Sequence, residues 1–216
     1  MEESAPDINS IMNRVVVSHK WMGERFEALL NKLPSETLAL FKAITAIVID
    51  SNIRPSFYLS QKGAIYLDPY YLWLTLDEKR TINTQDDYRA GFADPLNFRI
   101  LNRYRINDMP AYKNWPLTDE RSRSIDDALL PFARLLFHEL AHANDFIQAD
   151  SYINITSAQT ISEAIAGLSS NRISPILAQQ MPLSSSVLFS LAKVMYSGTL
   201  PSEDDLQINA EQAGIH

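Results

Sequence analysis

Apolar residues recur at helical spacing through much of the chain. In the first fifty residues they predict two helices, one from about Asp7 to Leu30 and one from Ser35 to about Asp50, separated by Pro34. Later runs predict helices over about 124–148, 160–170 and 184–196. The pattern therefore indicates a chain dominated by helices.

The period changes in the middle of the chain. Ser56–Ser60 and Ala64–Leu67 are short β-favouring runs joined by Gln61-Lys62-Gly63, which predicts a β-hairpin. Apolar residues at even spacing between Phe98 and Ile106 predict a third strand. The expected fold class is α+β, predominantly helical, with a small mid-chain hairpin or sheet.

Length and composition restrict the class of protein. A chain of 216 residues predicts a single domain, placed over 1–200, with a polar tail over 201–216. The net charge of -7 argues against a nucleic-acid partner, which needs a basic face. The most apolar stretch, Leu38–Ile49, is far shorter than the roughly 20 residues of a transmembrane helix. The N-terminus carries no signal-peptide pattern, and the compartment stays open.

Residues 138–142 read His-Glu-Leu-Ala-His, the H-E-x-x-H pattern. Histidines at i and i+4 lie on one face of a helix, so His138 and His142 can reach a single zinc ion. Glu139 then lies beside the metal, where it can take a proton from a zinc-activated water. The pattern predicts one Zn²⁺ ion, with Glu139 as the general base.

A chance occurrence on a solvated helix is the alternative explanation. The two histidines fall on a stripe with Ala128 and Leu135, which predicts that they continue a core-facing surface. Imidazoles on an apolar face are costly to bury unless they have a partner, and a metal ion is the simplest one. This placement favours zinc binding.

A zinc site of this kind needs a third protein ligand. The chain has no cysteine, and its other histidines are His19 and His216. A carboxylate is therefore expected, and Glu163 stands near the start of the next predicted helix. Thr160 and Glu163 also form a capping-box pattern, which explains this glutamate without a metal. Asp145 and His19 are the substitutes if Glu163 is not the ligand.

His138-Glu139-x-x-His142 followed by Glu163 in a Ser-Glu-Ala context resembles the gluzincin metallopeptidases, the thermolysin-like branch of the zincins. The resemblance covers roughly 30 residues and implies His138, His142 and Glu163 as zinc ligands and Glu139 as base. In that group an aspartate four residues after the glutamate supports the first histidine, but here Gly167 stands there. Asp145 is a candidate replacement as acceptor for an imidazole N–H, or else an ordinary surface acid.

The resemblance also directs attention to substrate binding. Peptide hydrolysis needs a donor for the developing oxyanion, and Tyr152 and Tyr196 are the candidates. Zincin peptidases hold an extended substrate against an edge strand, so Ser56–Ser60 or Ala64–Leu67 is a candidate edge, with an ordinary structural hairpin as the alternative.

Three functional hypotheses follow. The first is a zinc-dependent peptidase that acts on a peptide or protein substrate. The second is a non-catalytic zinc-binding or interaction protein on a zincin-like helical scaffold. The third is a helical interaction protein in which the H-E-x-x-H sequence is accidental.

Overall fold

The structure is a computed structural model, and it describes residues 6–85, 105–113, 115–116, 118–149, 151, 159–168, 172–180 and 185–207. The side chains at 180, 185–188, 195–196 and 207 lie outside this description. The helices are α1 Ile8–Met12, α2 Lys20–Leu30, α3 Leu76–Arg80, α4 Ile125–Phe146, α5 Ile161–Leu168, α6 Ile173–Gln180, α7 Ser185–Ser197 and α8 Glu203–Gln207. Two 3-10 helices span Ser35–Ala43 and Pro69–Tyr71.

The strands form one sheet of four and one of two. They are β1 Val15–Val17, β2 Ala46–Ile49, β3 Phe57–Leu59, β4 Ala64–Leu67, β5 Arg105–Ile106 and β6 Met109–Pro110. The larger sheet has the order β1-β2-β4-β3, in which β3 alone runs antiparallel to its neighbour. The predicted α+β class, mostly helical with a small sheet, is confirmed.

The first fifty residues correct the prediction of two helices. They contain β1 and β2 as well as α1, α2 and the 3-10 helix Ser35–Ala43. Strand β2 has a parallel neighbour on each side, and such strands read as short continuous apolar runs. Periodicity alone cannot separate a run of this length from a buried helical segment.

Other elements agree with the sequence pattern to different extents. The predicted hairpin is confirmed as β3 and β4, and α4 and α5 fall within their predicted ranges, whereas α7 ends one residue beyond its predicted range. Of the strand predicted between 98 and 106, only β5 lies within the described residues; it turns to β6 through Asn107 and Asp108, both with positive φ. Helices α6 and α8 were not predicted, and α8 lies where the sequence predicts a polar tail.

The chain divides into two compact units. One comprises 1–85 with 104–172, and the other comprises 86–103 with 173–216. The single domain over 1–200 with a tail from 201 stays a prediction. The first unit contains the sheet and the helix with the H-E-x-x-H sequence, and its main apolar core joins α2, β2, β4 and α4. Across the described ranges, no helix combines the length and apolar character that crossing a membrane requires.

A buried ion pair ties α2 to α3 and provides a test of the fold. Glu78 accepts hydrogen bonds from Arg25 Nη2 at 2.7 Å and from the backbone N–H groups of Leu74 at 2.7 Å and Thr75 at 3.0 Å. Burial acts to raise the pKa of Glu78, but these hydrogen bonds outweigh it and hold the pKa below its usual value.

Glu78→Gln is expected to lower the free energy of unfolding by about 1–3 kcal/mol at pH 7, because charge-assisted hydrogen bonds are lost. The pKa of Glu78 is depressed in the folded state, so its contribution is present above the unfolded pKa and is lost as the pH falls through the folded pKa. Urea unfolding at pH 7 and at successively lower pH should show that the difference in free energy of unfolding between wild type and Glu78→Gln becomes smaller. Asp77→Asn is the matched control, because its ion pair with Arg80 is exposed and worth little. A difference that stays constant with pH would contradict this assignment.

Candidate metal centre

Helix α4 is held firmly at its start and along one face. Ser124 and Asp127 form a reciprocal capping box at its N-terminus. Its fully buried face packs against the 3-10 helix Ser35–Ala43 and against β3 and β4. The buried apolar residues on this face are Ala128, Phe132, Leu136, Leu140 and Ala143. The position of the H-E-x-x-H sequence is therefore set by the core of the first unit.

The two histidines of this sequence converge. His138 Nε2 and His142 Nε2 lie 3.1 Å apart, and the rings meet edge to face at 89°. Two nitrogens that bind one tetrahedral zinc at about 2.0–2.1 Å lie about 3.3 Å apart. The observed separation is close to that value, and it equally suits a hydrogen bond from a neutral imidazole N–H to the other ring. One bound cation or one shared proton would each account for the geometry.

Exposure of the histidines corrects one expectation. Both rings are exposed, whereas the sequence pattern predicts that they continue the core-facing surface. A row of residues seven apart, such as Ala128, Leu135 and His142, drifts by about 20° per step around an α-helix. The row leaves the buried face before it reaches His142. The histidines are therefore accessible to solvent, metal and substrate.

The electrostatic surroundings of His138 favour its neutral form. Partial burial, the charge of His142 and the charge of Arg134 all lower the pKa of His138 below its usual value. Only a neutral imidazole can bind a metal ion. The lowered pKa of His138 thus favours the protonation state that metal binding requires.

Glu139, which lies between the two exposed histidines in sequence, is buried. Its exposed fraction is 3%, and its Oε2 has no hydrogen-bond partner. Burial raises the pKa of Glu139 to about 7. A buried carboxylate oxygen without a partner is costly, so this position calls for a proton or a compensating cation. The free-energy cost of burying a polar side chain here falls on Glu139, because both histidines are exposed.

Glu163 uses one of its carboxylate oxygens for the capping box that the sequence pattern also predicts. Its Oε2 accepts hydrogen bonds from the backbone N–H of Thr160 at 2.7 Å and from the Thr160 hydroxyl at 2.9 Å, which forms the capping box of α5. These hydrogen bonds lower the pKa of the exposed Glu163 carboxyl. No group of three or more histidine, aspartate or glutamate side chains in the described ranges is placed to hold a metal ion. Glu163 therefore does not complete a site with the histidines here, and its role as third ligand stays a prediction.

The start of α5 is anchored beside the β3–β4 turn. Ser162 donates a hydrogen bond to the Gln61 carbonyl at 3.3 Å, and Ile161 packs against Gly63. Gly63 has a φ of +62°, and a Cβ there would meet Thr45 at 3.1 Å and Ile161 at 3.3 Å. The hairpin turn thus positions the first turn of the helix that carries Glu163.

The substitute ligands have other contacts. Asp145 accepts a hydrogen bond from Arg172 Nε at 3.3 Å, and the Arg172 guanidinium lies 3.6 Å from the centre of the Phe146 ring. His19 occupies the N-cap position of α2 without a side-chain capping hydrogen bond, and its Nδ1 lies 3.0 Å from the Ser18 hydroxyl. The suggestion that Asp145 supports an imidazole N–H stays a prediction.

The tyrosines proposed as oxyanion donors are not tested by the geometry. Tyr152 lies outside the described residues. Tyr196 falls within α7, but its side chain is outside the described part of the structure. Both assignments stay predictions.

Two residues near this part of α4, Arg134 and Tyr71, are absent from the sequence-based predictions. Arg134 lies one turn before His138 on the exposed face of α4. Tyr71 ends the 3-10 helix Pro69–Tyr71, which packs against α4, and the charge of Arg134 acts on both Tyr71 and His138. The i, i+4 spacing of 134, 138 and 142 was a readable signal for Arg134. Nothing in the sequence pattern points to Tyr71, which comes near α4 only through the tertiary fold.

The two candidate edge strands differ in their pairing. Strand β4 is paired on both sides, whereas β3 pairs, among the described residues, only with β4 and lies beside α4. An added strand could therefore pair with the first of the predicted runs and not with the second. On the exposed side of this edge, Phe57 stacks on Tyr66 with ring centres 4.6 Å apart.

Comparison with known proteins gives no relative. No protein-family model matches the chain, and neither the curated proteins nor the solved structures contain a significant match.

Proposed function

We propose that the protein is a zinc-dependent peptide hydrolase. The observation that carries the proposal is the convergence of His138 Nε2 and His142 Nε2 to 3.1 Å on an exposed helix face. The buried Glu139, whose Oε2 has no hydrogen-bond partner, supports it, because a nearby cation would compensate that charge.

Two of the three protein ligands that a zinc site needs, His138 and His142, lie close enough together to bind one ion. His138 and His142 would hold the ion through Nε2, and Glu163 is the proposed third ligand. When bound, zinc supplies a Lewis acid that polarises a carbonyl and lowers the pKa of a water molecule. The exposure of both imidazoles leaves room for a substrate carbonyl on the same side.

Glu139 is the proposed general base. A carboxyl group with a pKa near 7 accepts a proton readily and gives it up readily at neutral pH. Glu139 would take a proton from the attacking water and later deliver it to the nitrogen of the leaving amine. Strand β3 would hold the peptide in an extended form through backbone hydrogen bonds.

The proposal for Glu163 has a sharp test. Both of its capping hydrogen bonds use Oε2, so Oε1 is available as a ligand. Glu163→Gln keeps the capping box, because glutamine serves at this position, but removes the negative charge. We expect zinc affinity to fall by at least about 10-fold, on the scale of lost metal-site interactions, with the melting temperature of the metal-free protein unchanged.

Thr160→Ala is the matched control for Glu163→Gln. It removes the cap and is expected to lower stability by about 0.5–2 kcal/mol. Its zinc affinity should fall less than that of Glu163→Gln. Equal zinc affinity for Glu163→Gln and wild type, measured by competition with a chelating dye, would leave Glu163 as a cap only.

The proposed function is tested by hydrolysis of a quenched fluorescent peptide library. Zinc-loaded protein should cleave it, a chelator should stop cleavage, and added zinc should restore it. A protein that binds one zinc ion but cleaves nothing would favour the second hypothesis, a non-catalytic zinc protein. A protein that binds no zinc would contradict both.

A further inference from the structure

Arg134 stands apart from the other arginines of the described residues. The others bond to carboxylates or carbonyls or lie over an aromatic ring: Arg14, Arg25, Arg54, Arg80, Arg105, Arg121, Arg123 and Arg172. The Arg134 guanidinium makes no such contact with any described residue, and it is exposed. The chain has a net charge of -7, and Arg134 is a cation near the candidate site that pairs with no described carboxylate. Its guanidinium is therefore available to an anionic ligand.

The position of Arg134 relates it directly to the two histidines. Residues 134, 138 and 142 follow one another at four-residue spacing on the exposed face of α4. Four residues correspond to about 6 Å along a helix. A group bound by Arg134 therefore lies about one helical turn from a substrate atom held at the histidines.

A tyrosine from a neighbouring element lies within the electrostatic range of Arg134. Tyr71 is placed by the packing of its 3-10 helix against α4. Burial raises the pKa of Tyr71 and the nearby Asp68 acts in the same direction, whereas Arg134 acts in the opposite one. The Tyr71 hydroxyl thus stays protonated and is a hydrogen-bond donor near the guanidinium.

We propose that Arg134, with Tyr71 beside it, binds a carboxylate of the peptide substrate and so selects substrates for the zinc site. This inference rests on the proposed function. Guanidinium and phenol groups are the donors that suit a carboxylate, through charge-assisted hydrogen bonds. An extended peptide advances about 3.3–3.6 Å per residue, so the carboxylate lies within about two residues of the cleaved bond. It belongs either to the peptide C-terminus or to an aspartate or glutamate side chain.

The two carboxylate sources are separated by paired peptide libraries. One pair carries a free C-terminal acid or a C-terminal amide, and the other carries Asp or Asn at the positions within two residues of the cleaved bond. Wild-type protein should cleave the acid member of one pair at least about 10-fold faster at low substrate concentration. Arg134→Gln should reduce that preference to near unity through KM, and Arg134→Lys should retain part of it. Arg80→Gln is the control, because Arg80 is exposed and pairs with Asp77 on α3.

A binding measurement keeps this test independent of hydrolysis. N-acetyl dipeptides, as acid and as amide and with Asp or Asn, are titrated into zinc-loaded Glu139→Gln protein and followed by the imidazole NMR signals. Tighter binding of the acid, lost in the Arg134→Gln/Glu139→Gln protein, supports the proposal even if the wild-type protein cleaves nothing. Acid and amide binding that do not differ for either carboxylate source, or a preference that survives Arg134→Gln, would overturn it.

Discussion

Glu139→Gln is expected to abolish peptide hydrolysis while zinc stays bound. The substitution removes the group proposed to accept the proton of the attacking water, and a general base of this kind contributes about 100- to 10,000-fold. The proposed metal ligands His138 and His142 are untouched. The loss should therefore appear in kcat, with zinc content near the wild-type value.

Stability gives this variant its internal control. Glu139 has an exposed fraction of 3%, and its Oε2 makes no hydrogen bond. Glutamine at this position has no charge to desolvate, so the free energy of unfolding should not fall at neutral pH. Glu27→Gln, on the exposed side of α2, is the matched surface substitution and should leave both activity and stability unchanged. Full hydrolysis by Glu139→Gln would remove Glu139 as the base.

His138→Ala and His142→Ala are each expected to lower zinc affinity by more than about 100-fold, which exceeds the usual cost of losing a residue that only supports a ligand. The reason is that each substitution removes one of two nitrogens that converge to 3.1 Å. Both side chains are exposed, so the free energy of unfolding of the metal-free protein should change little. Isothermal titration with zinc measures the affinity directly.

His19→Ala separates a specific zinc site from loose binding by imidazoles. His19 precedes α2 and contacts Ser18, so its removal should leave zinc affinity unchanged. An equal loss in all three variants would indicate adventitious binding. Retention of zinc in both His138→Ala and His142→Ala would mean that the two rings share a hydrogen bond and not a metal ion.

Local sequence patterns predicted the part of the site that lies on one helix. The spacing of His138 and His142 is a property of neighbouring residues, and the structure brings the two rings together as that spacing predicts. The burial of Glu139 could not be read in this way. Which face of α4 is buried depends on how the helix packs on β3, β4 and the 3-10 helix Ser35–Ala43.

The strands in the first fifty residues were missed for a related reason. Val15–Val17 and Ala46–Ile49 are only three and four residues long, and they pair with each other in parallel across α2 and a 3-10 helix. A parallel pair is held by contacts between distant residues, so no local turn signal marks it. The hairpin of β3 and β4 carries its turn, with Gly63, in the sequence itself.

Glu163 has one predicted role that is local in sequence and one that is not. Its capping box with Thr160 is a local pattern and is formed in the structure. Whether its second oxygen reaches a metal ion depends on how α5 stands relative to α4 when the ion is present. That geometry links residues 21 positions apart in sequence, His142 and Glu163, and the local pattern carries no information about it.

Zinc content is the most direct test of the central claim, that His138 and His142 belong to a metal site. Full-length protein, exchanged into zinc and then dialysed against metal-free buffer, is analysed by inductively coupled plasma mass spectrometry beside the His138→Ala variant. The account predicts one zinc ion per wild-type chain and a value near zero for the variant. A wild-type stoichiometry well below one, or equal zinc in the two proteins, would contradict it.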